Sequence, residues 1–249
     1  MNKFAGKTAL VVGGSSGIGL ASASLLKQQG ARLAVTGRDP EHLAHAQREL
    51  GDDTLVIDSD AGNLEQITAL MTRVGNHFGR LDILFLNAGI WKPVAIEDIS
   101  EAQFDETMNV NFKGAFFAIQ KALPWFSEQA SVIIHTSVHN RKGSPNYSIY
   151  AASKAALRSL TQSMGLALIG RGIRVNAICT GPIDTPMFYR GGIPADVIQP
   201  RLDALAQKSP IKRFGHVEEV AKVVSFLASD DASYLIGEEI VIDGGLSLL

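Results

Sequence analysis

Thr8-Ala9-Leu10-Val11-Val12-Gly13-Gly14-Ser15-Ser16-Gly17-Ile18-Gly19, running on into Leu20 to Gln29, is the stretch whose reading decides the fold. Thr8 to Val12 is a short apolar run of strand character, the glycine- and serine-rich segment is a turn, and Leu20 to Gln29 has helical composition. That order prepares a phosphate site. Gly13 permits a tight turn, Gly17 lets backbone N–H groups approach a pyrophosphate, Gly19 lets the helix pack on the strand, and the helix amino terminus favours the anion. A glycine cluster alone is weak evidence; its place directly after the first strand strengthens it.

The alternation continues outward. Arg32 to Thr36 is a second strand ending in Gly37-Arg38-Asp39-Pro40, and Glu41 to Leu50 is helical, with Asp39 as its cap and Pro40 at its first position. Thr54 to Ile57 is a third strand ending at Asp58-Ser59, Asn63 to Phe78 an amphipathic helix, and Leu81 to Leu86 a fourth strand that delivers Asn87-Ala88-Gly89. Ser100 to Phe126 is helical in pattern, but Asn109, Asn111 and Gly114 weaken it, which predicts a local break with a polar function. Ile173 to Ile178 is a sixth strand, Val217 to Ala228 a helix and Glu239 to Ile242 a last strand before an apolar tail. The pattern predicts an α/β protein of the Rossmann type: a doubly wound, seven-stranded, mostly parallel sheet with helices on both faces and ligands along the carboxyl ends of the strands. No repeat or linker divides the chain, so residues 1–249 read as one domain, with a partly helical lid at about 187–214.

Between the fourth and sixth strands lies the chemistry. Val132 to Thr136 is a buried strand with Ser137 at its end, Gly143, Pro145 and Asn146 force a loop, and Tyr150 to Ile169 is one long helix. Tyr150 and Lys154, four apart, share a helix face, so the ammonium is expected to favour the phenolate and lower the phenol pKa, while Ser137 offers a hydrogen bond to a substrate oxygen. A Tyr and Lys at this spacing are more often just a solvated pair, and the flanking motifs tip the reading toward chemistry.

Composition narrows the class. The chain has 46% hydrophobic residues, a net charge of −2 and no basic run, which points away from nucleic acid and anionic membranes. Apolar stretches are short, and Met1 to Lys7 leads into a strand, so a soluble cytoplasmic protein is expected; the single cysteine, Cys179, forms no internal disulfide.

Five separated signals in order, Gly13-x-x-x-Gly17-Ile18-Gly19, Asn87-Ala88-Gly89, Asn111-x-x-Gly114, Ser137 with Tyr150-x-x-x-Lys154, and Gly181 with Thr185, resemble the short-chain dehydrogenase/reductase family from Lys7 to Gly245. The resemblance extends to its 3-oxoacyl-carrier-protein reductases. It implies a catalytic tetrad of Asn111, Ser137, Tyr150 and Lys154, in which Tyr150 protonates a carbonyl oxygen that Ser137 holds. Lys154 would lower the Tyr150 pKa and bind the nicotinamide ribose, and Asn111 would anchor a water that refills the proton. Candidate cofactor contacts fall at Gly13, Ser15, Ser16, Gly17, Ile18 and Gly19 in the turn, and at Gly37, Arg38, Asp58 and Ser59 after the second and third strands. Asn87, Ala88, Gly89, Tyr150, Lys154, Gly181, Ile183 and Thr185 complete the set. The chain departs from the family at Val12, where Thr is usual, at Leu86, where Asn is usual, and at Thr180, where Pro is usual; no tetrad group is lost.

Gly37 stands where enzymes that choose NAD place a carboxylate, and Arg38 offers a planar fork to a 2′-phosphate, so NADP(H) is expected ahead of NAD(H), and Gly37→Asp is expected to turn the preference. Asp39 approaching the ribose is the competing arrangement. His42 and His45 lack a third ligand, so no metal is expected; His139 reads as a pocket or a plain loop residue; Cys179 reads as a small buried side chain; Trp91, Phe188 and Tyr189 are candidate pocket walls. Arg171 matches a carrier-protein docking residue, but Glu128 would repel an acidic carrier. The expected partners are a small carbonyl or alcohol substrate and further copies of the chain, most simply a tetramer, because the long helix and the tail leave apolar surface exposed. The alternative function is a catalytically silent NADP(H)-sensing regulatory protein on the same fold, which loss of Tyr150 or Lys154 would have favoured.

Overall fold

The computed structural model describes residues 2–189 and 195–249; Arg190 to Pro194, within the expected lid, lie outside the described residues. Seven strands form one sheet in the order β3-β2-β1-β4-β5-β6-β7, every neighbouring pair parallel. They are β1 (Thr8–Val12), β2 (Arg32–Gly37), β3 (Leu55–Asp58), β4 (Leu81–Leu86), β5 (Phe126–Ser137), β6 (Arg174–Thr180) and β7 (Glu239–Ile242). The order reverses direction at β1 and β4, so their carboxyl ends diverge into the crevice where such sheets take ligands.

Helices cover both faces: α1 (Gly17–Gln28), α2 (Pro40–Leu50) and α8 (Val217–Ala228) on one, and α3 (Leu64–Phe78), α5 (Gly114–Ala122) and α6 (Ser148–Leu168) on the other. Strand alternation feeds both layers. Leu10, Leu84 and Ile134 point to the α3, α5 and α6 side, while Val11, Phe85 and Ile133 point to the α1 and α8 side. That is why the strands read as unbroken apolar runs. Each such buried side chain contributes roughly 1.5–3 kcal/mol, and removing Phe85 would open a cavity between the layers.

Several boundaries differ from expectation. Helix α1 begins at Gly17 rather than Leu20, because the turn hands its last glycines straight to the helix. Strand β5 begins at Phe126, well before Val132, because Phe126 pairs with Leu81 at the sheet's far end, followed by a register shift before Ser131 meets Ile83. Asp39 caps α2 as expected, its carboxylate accepting from Glu41 and His42 N–H groups at 3.0 Å. The expected break between Ser100 and Phe126 is a π-helical turn, Asn109–Lys113, set between α4 (Glu101–Met108) and α5. Within the segment taken as a lid, α7 runs from Ala195 to Lys208 despite Pro200. No helix among the described residues is long and apolar enough to cross a membrane.

Candidate active site

The glycine turn is a tight fit. Gly13 has φ +77°, and a Cβ on it would lie 2.7 Å from the Ala88 backbone; one on Gly19 would lie 2.0 Å from the Gly13 carbonyl oxygen. No other residue fits either position, and the result is a smooth backbone ledge at the amino terminus of α1. Thr36 holds the ledge from below, its carbonyl accepting from Gly14 N–H at 2.8 Å and its hydroxyl from Gly13 N–H at 3.1 Å. Ser15 and Ile18 are buried beside it, and the Thr185 side chain closes on Gly17 at 3.3 Å from where a Cβ would stand. Ser16 is the residue preceding α1. Backbone cradles of this shape fit a dinucleotide pyrophosphate.

At the end of β2, Gly37 accepts from Ser59 N–H at 2.9 Å, and Arg38 reaches outward, 52% exposed, to Asp60 at 3.3 Å. Asp58 ends β3 exposed. A Cβ on Gly37 would lie 2.2 Å from Ser15 Oγ, so a carboxylate cannot be placed there without moving the turn, contrary to the expectation for Gly37→Asp. On the far side of the crevice Gly181 packs on Asp243 and Ile183 is buried.

Ser137, Tyr150 and Lys154 come together where β5 and α6 meet. Ser137 lies beside the Tyr150 phenol, close enough to act on its protonation, and its Oγ accepts from His139 N–H at 3.3 Å. Lys154 Nζ donates to the His135 carbonyl at 2.8 Å and lies 5.8 Å from the Tyr150 ring centre. Burial pushes the Tyr150 phenol up to about 12, with the Ser137 hydrogen bond opposing it, and burial pulls Lys154 down to about 8. This runs against the expected phenol depression: burial dominates at Tyr150, while the Lys154 ammonium donates to the His135 carbonyl.

Asn111, in the π-helical turn, is a clamp. Its Oδ1 accepts from Ile90 N–H at 2.8 Å, and its Nδ2 donates to the Ile90 carbonyl and to Ser153 Oγ, both at 3.0 Å. Ser153 in turn donates to the Tyr150 carbonyl at 2.7 Å, so the π turn fixes both the loop after β4 and the helix carrying Tyr150. With both amide hydrogens committed to Ile90 and Ser153, the side chain holds these segments in place. Asn87 is likewise committed to the protein, and Ala88 N–H donates to the Val12 carbonyl at 2.9 Å, so the motif's backbone is anchored to the end of β1 as far as Ala88.

Rings line the approach. His139 packs between Tyr147 (4.8 Å) and Tyr150 (6.1 Å), Trp91 meets Tyr147 (5.6 Å) and Phe188 (5.7 Å), and Phe188 meets Phe214 (5.4 Å). Each is half-buried, so part of its surface stays open. The sequence marks Trp91, Phe188 and His139; Tyr147 and Phe214 are not marked, because neither lies in a motif. Tyr189 is exposed and outside these ring contacts. Also unmarked is the buried Glu239 carboxylate, which accepts from Thr136, Asn140 and Arg141 and pairs with the Arg158 guanidinium at 3.3 Å, and so ties the loop after Ser137 to α6. Arg158, one turn beyond Lys154, was the available signal. Among the described residues no His, Cys, Asp and Glu side chains group to hold a metal, and His42 instead faces Asp39 at 3.7 Å. Cys179 is buried, and burial pushes its thiol up to about 12.

Comparison with known proteins agrees along the chain. A family model described as enoyl-(acyl carrier protein) reductase matches residues 12–247. The 3-oxoacyl-[acyl-carrier-protein] reductase FabG of Thermotoga maritima is 36% identical over 98% of this chain and 99% of its own. Levodione reductase of Leifsonia aquatica is 36% identical over 98% and 96%. A crystal structure of levodione reductase superposes with TM-score 0.92 at 34% identity, covering 98% of this chain and 99% of that one. A glucose/ribitol dehydrogenase structure from Brucella melitensis, described as a short-chain dehydrogenase/reductase, gives 0.91 at 30% identity, covering 98% of each.

Proposed function

The chain belongs to the short-chain dehydrogenase/reductase family, and on that premise we propose that it moves a hydride between NADP(H) and a small carbonyl or secondary-alcohol substrate, with Tyr150 as the acid-base group. The observation that carries this reading is the meeting of Ser137, Tyr150 and Lys154 at the carboxyl edge of the sheet. The glycine turn and the amino terminus of α1 would hold the pyrophosphate, Arg38 the 2′-phosphate, and Lys154 the ribose next to the nicotinamide. Bound there, that ring supplies a hydride in reduction and accepts one in oxidation.

The rest falls to the chain's own groups. A phenol with its pKa near 12 is protonated throughout the neutral range, so Tyr150 can give its proton to a carbonyl oxygen as negative charge builds there. Ser137 steadies that oxygen by hydrogen bonding, and the Lys154 ammonium, present below about pH 8, offsets the charge left on Tyr150. Apolar rings beside Tyr150 favour a small ketone over a carrier-bound acyl chain. Arg171 gives a guanidinium N–H to the Leu123 carbonyl at 2.7 Å, and exposed Glu128 would repel an acidic carrier. The same reading includes a cytoplasmic homotetramer in which part of 187–214 covers the bound substrate.

Tyr150→Phe tests it. The variant is expected to bind NADPH within about three-fold of wild type but to lose roughly a hundred-fold or more in kcat, because proton transfer and not affinity is removed. Turnover at the wild-type level would defeat the assignment.

A further inference from the structure

A line of polar side chains crosses the sheet beneath the glycine turn. Strand alternation puts Asn87, His135 and Thr180 on the side of Phe85, Ile133 and Ile178, the layer packed by α1 and α8, whereas Lys154 approaches from α6 on the opposite layer. Each hydrogen bond in the line fixes the next. The Gly13 carbonyl can only accept, so the Asn87 amide nitrogen faces it at 2.7 Å and the amide oxygen is turned to His135 Nδ1 at 2.9 Å. That oxygen can only accept, so Nδ1 carries the ring proton. The Thr180 hydroxyl, 2.9 Å from Nε2, then donates to it.

We propose that His135 is a positioning residue: held neutral as the Nδ1–H tautomer, it strings together the ends of β1, β4, β5 and β6 and so fixes the glycine turn relative to Lys154. The coupling to Lys154 runs through the backbone of the same residue, whose carbonyl takes the ammonium at 2.8 Å one residue beyond the last β4–β5 pair, Leu86 with Ile134. A charged ring would set a second cation beside that ammonium. Burial and Lys154 together hold the His135 pKa down at about 3. Thr180, one of the places where this chain departs from its family, is what completes the line, since the usual proline has no hydroxyl to donate. The inference rests on the proposed function only for what the turn and the ammonium do; the line itself belongs to the protein alone.

The test uses the full chain. Long-range ¹⁵N–¹H spectra, with His135 assigned by its loss in His135→Asn, are expected to show the proton on Nδ1. His135→Asn keeps a donor near the Nδ1 position and His135→Leu keeps none, so NADPH binding, followed by nucleotide fluorescence, is expected to weaken by less than about three-fold in the first and about ten-fold or more in the second. Thr180→Val, the milder change should His135→Leu not fold, is expected to keep the proton on Nδ1, which the Asn87 oxygen still accepts, but to leave Nε2 without a donor and weaken NADPH several-fold. A wild-type ring protonated on Nε2, or NADPH affinity unchanged in His135→Leu or, where that does not fold, in Thr180→Val, would overturn the proposal. Should Tyr150→Phe keep full turnover while the tautomer and affinity results hold, the proposed function fails and the positioning role stands.

Discussion

Arg38 and Asp60 form the pair on which the proposed NADP(H) preference turns. Their pair is half exposed and 3.3 Å long, a kind worth about 0–1 kcal/mol, so a 2′-phosphate can take the guanidinium from Asp60 at little cost. Arg38→Ala is expected to weaken NADPH by roughly ten- to a hundred-fold while NADH changes little, and Asp60→Asn to tighten NADPH. Equal losses for both cofactors in Arg38→Ala would count against the NADP(H) preference. Arg38 was legible in the sequence because it follows a strand end. Asp60 was not, since the pairing arises only when β2 and β3 lie side by side. His135 was visible as the one polar residue in an apolar run, and Thr180 as a departure, but which strand faces they share is a fact of register. Acid stability tests the buried ring. The folded His135 pKa, near 3, lies below the ordinary 6.5, so the unfolded chain binds a proton first and stability falls as pH drops from about 6.5 toward 3. Paired carboxylates such as Glu219, held down at about 2, act in the same direction, so the measurement is the difference between wild type and His135→Asn in urea midpoints across that window. The wild type is expected to lose more; parallel curves would contradict a buried neutral histidine.

Among the elements, the π-helical turn most directly joins fold to site. The sequence signalled a break through Asn109, Asn111 and Gly114 but not its form, because the extra residue in the turn is accommodated by tertiary contacts. Gly114 permits close packing: a Cβ there would lie 1.9 Å from the Ala61 carbonyl oxygen, on the segment that follows Ser59. Gly114→Ala is therefore expected to cost about 1–3 kcal/mol in urea unfolding and to lower kcat by displacing Asn111 from Ile90 and Ser153. Unchanged stability would mean that the α5 contact yields freely. Strand β5 shows the opposite limit of sequence reading. Its apolar half was plain, whereas Phe126 to Gln129 carry no alternation and are strand only because β4 lies beside them.

At the scale of the whole molecule, the parallel sheet followed from alternating strands and helices, and the placing of the strand ends along one edge from right-handed crossovers, whereas the strand order comes from the structure. Its outer surface follows from neither. Leu166 is 79% exposed, Tyr234 99%, Leu248 87% and Leu249 74%, and β7 is an unpaired edge of the sheet among the described residues. Apolar surface of this kind, on the long helix and the tail, supports self-association. Light scattering is expected to give a multiple of the 26.6 kDa chain, fourfold in the proposed tetramer; a stable single-chain mass would refute it. The central claim, that this chain is a working reductase and not a silent nucleotide sensor, is tested most directly by the rate of NADPH oxidation with a panel of small cyclic and linear ketones, wild type beside Tyr150→Phe. The expected result is steady turnover on at least one ketone by the wild type, cut roughly a hundred-fold or more in the variant while both still bind NADPH. Tight NADPH binding by the wild type with no oxidation on any ketone, or equal rates in the two proteins, would contradict it.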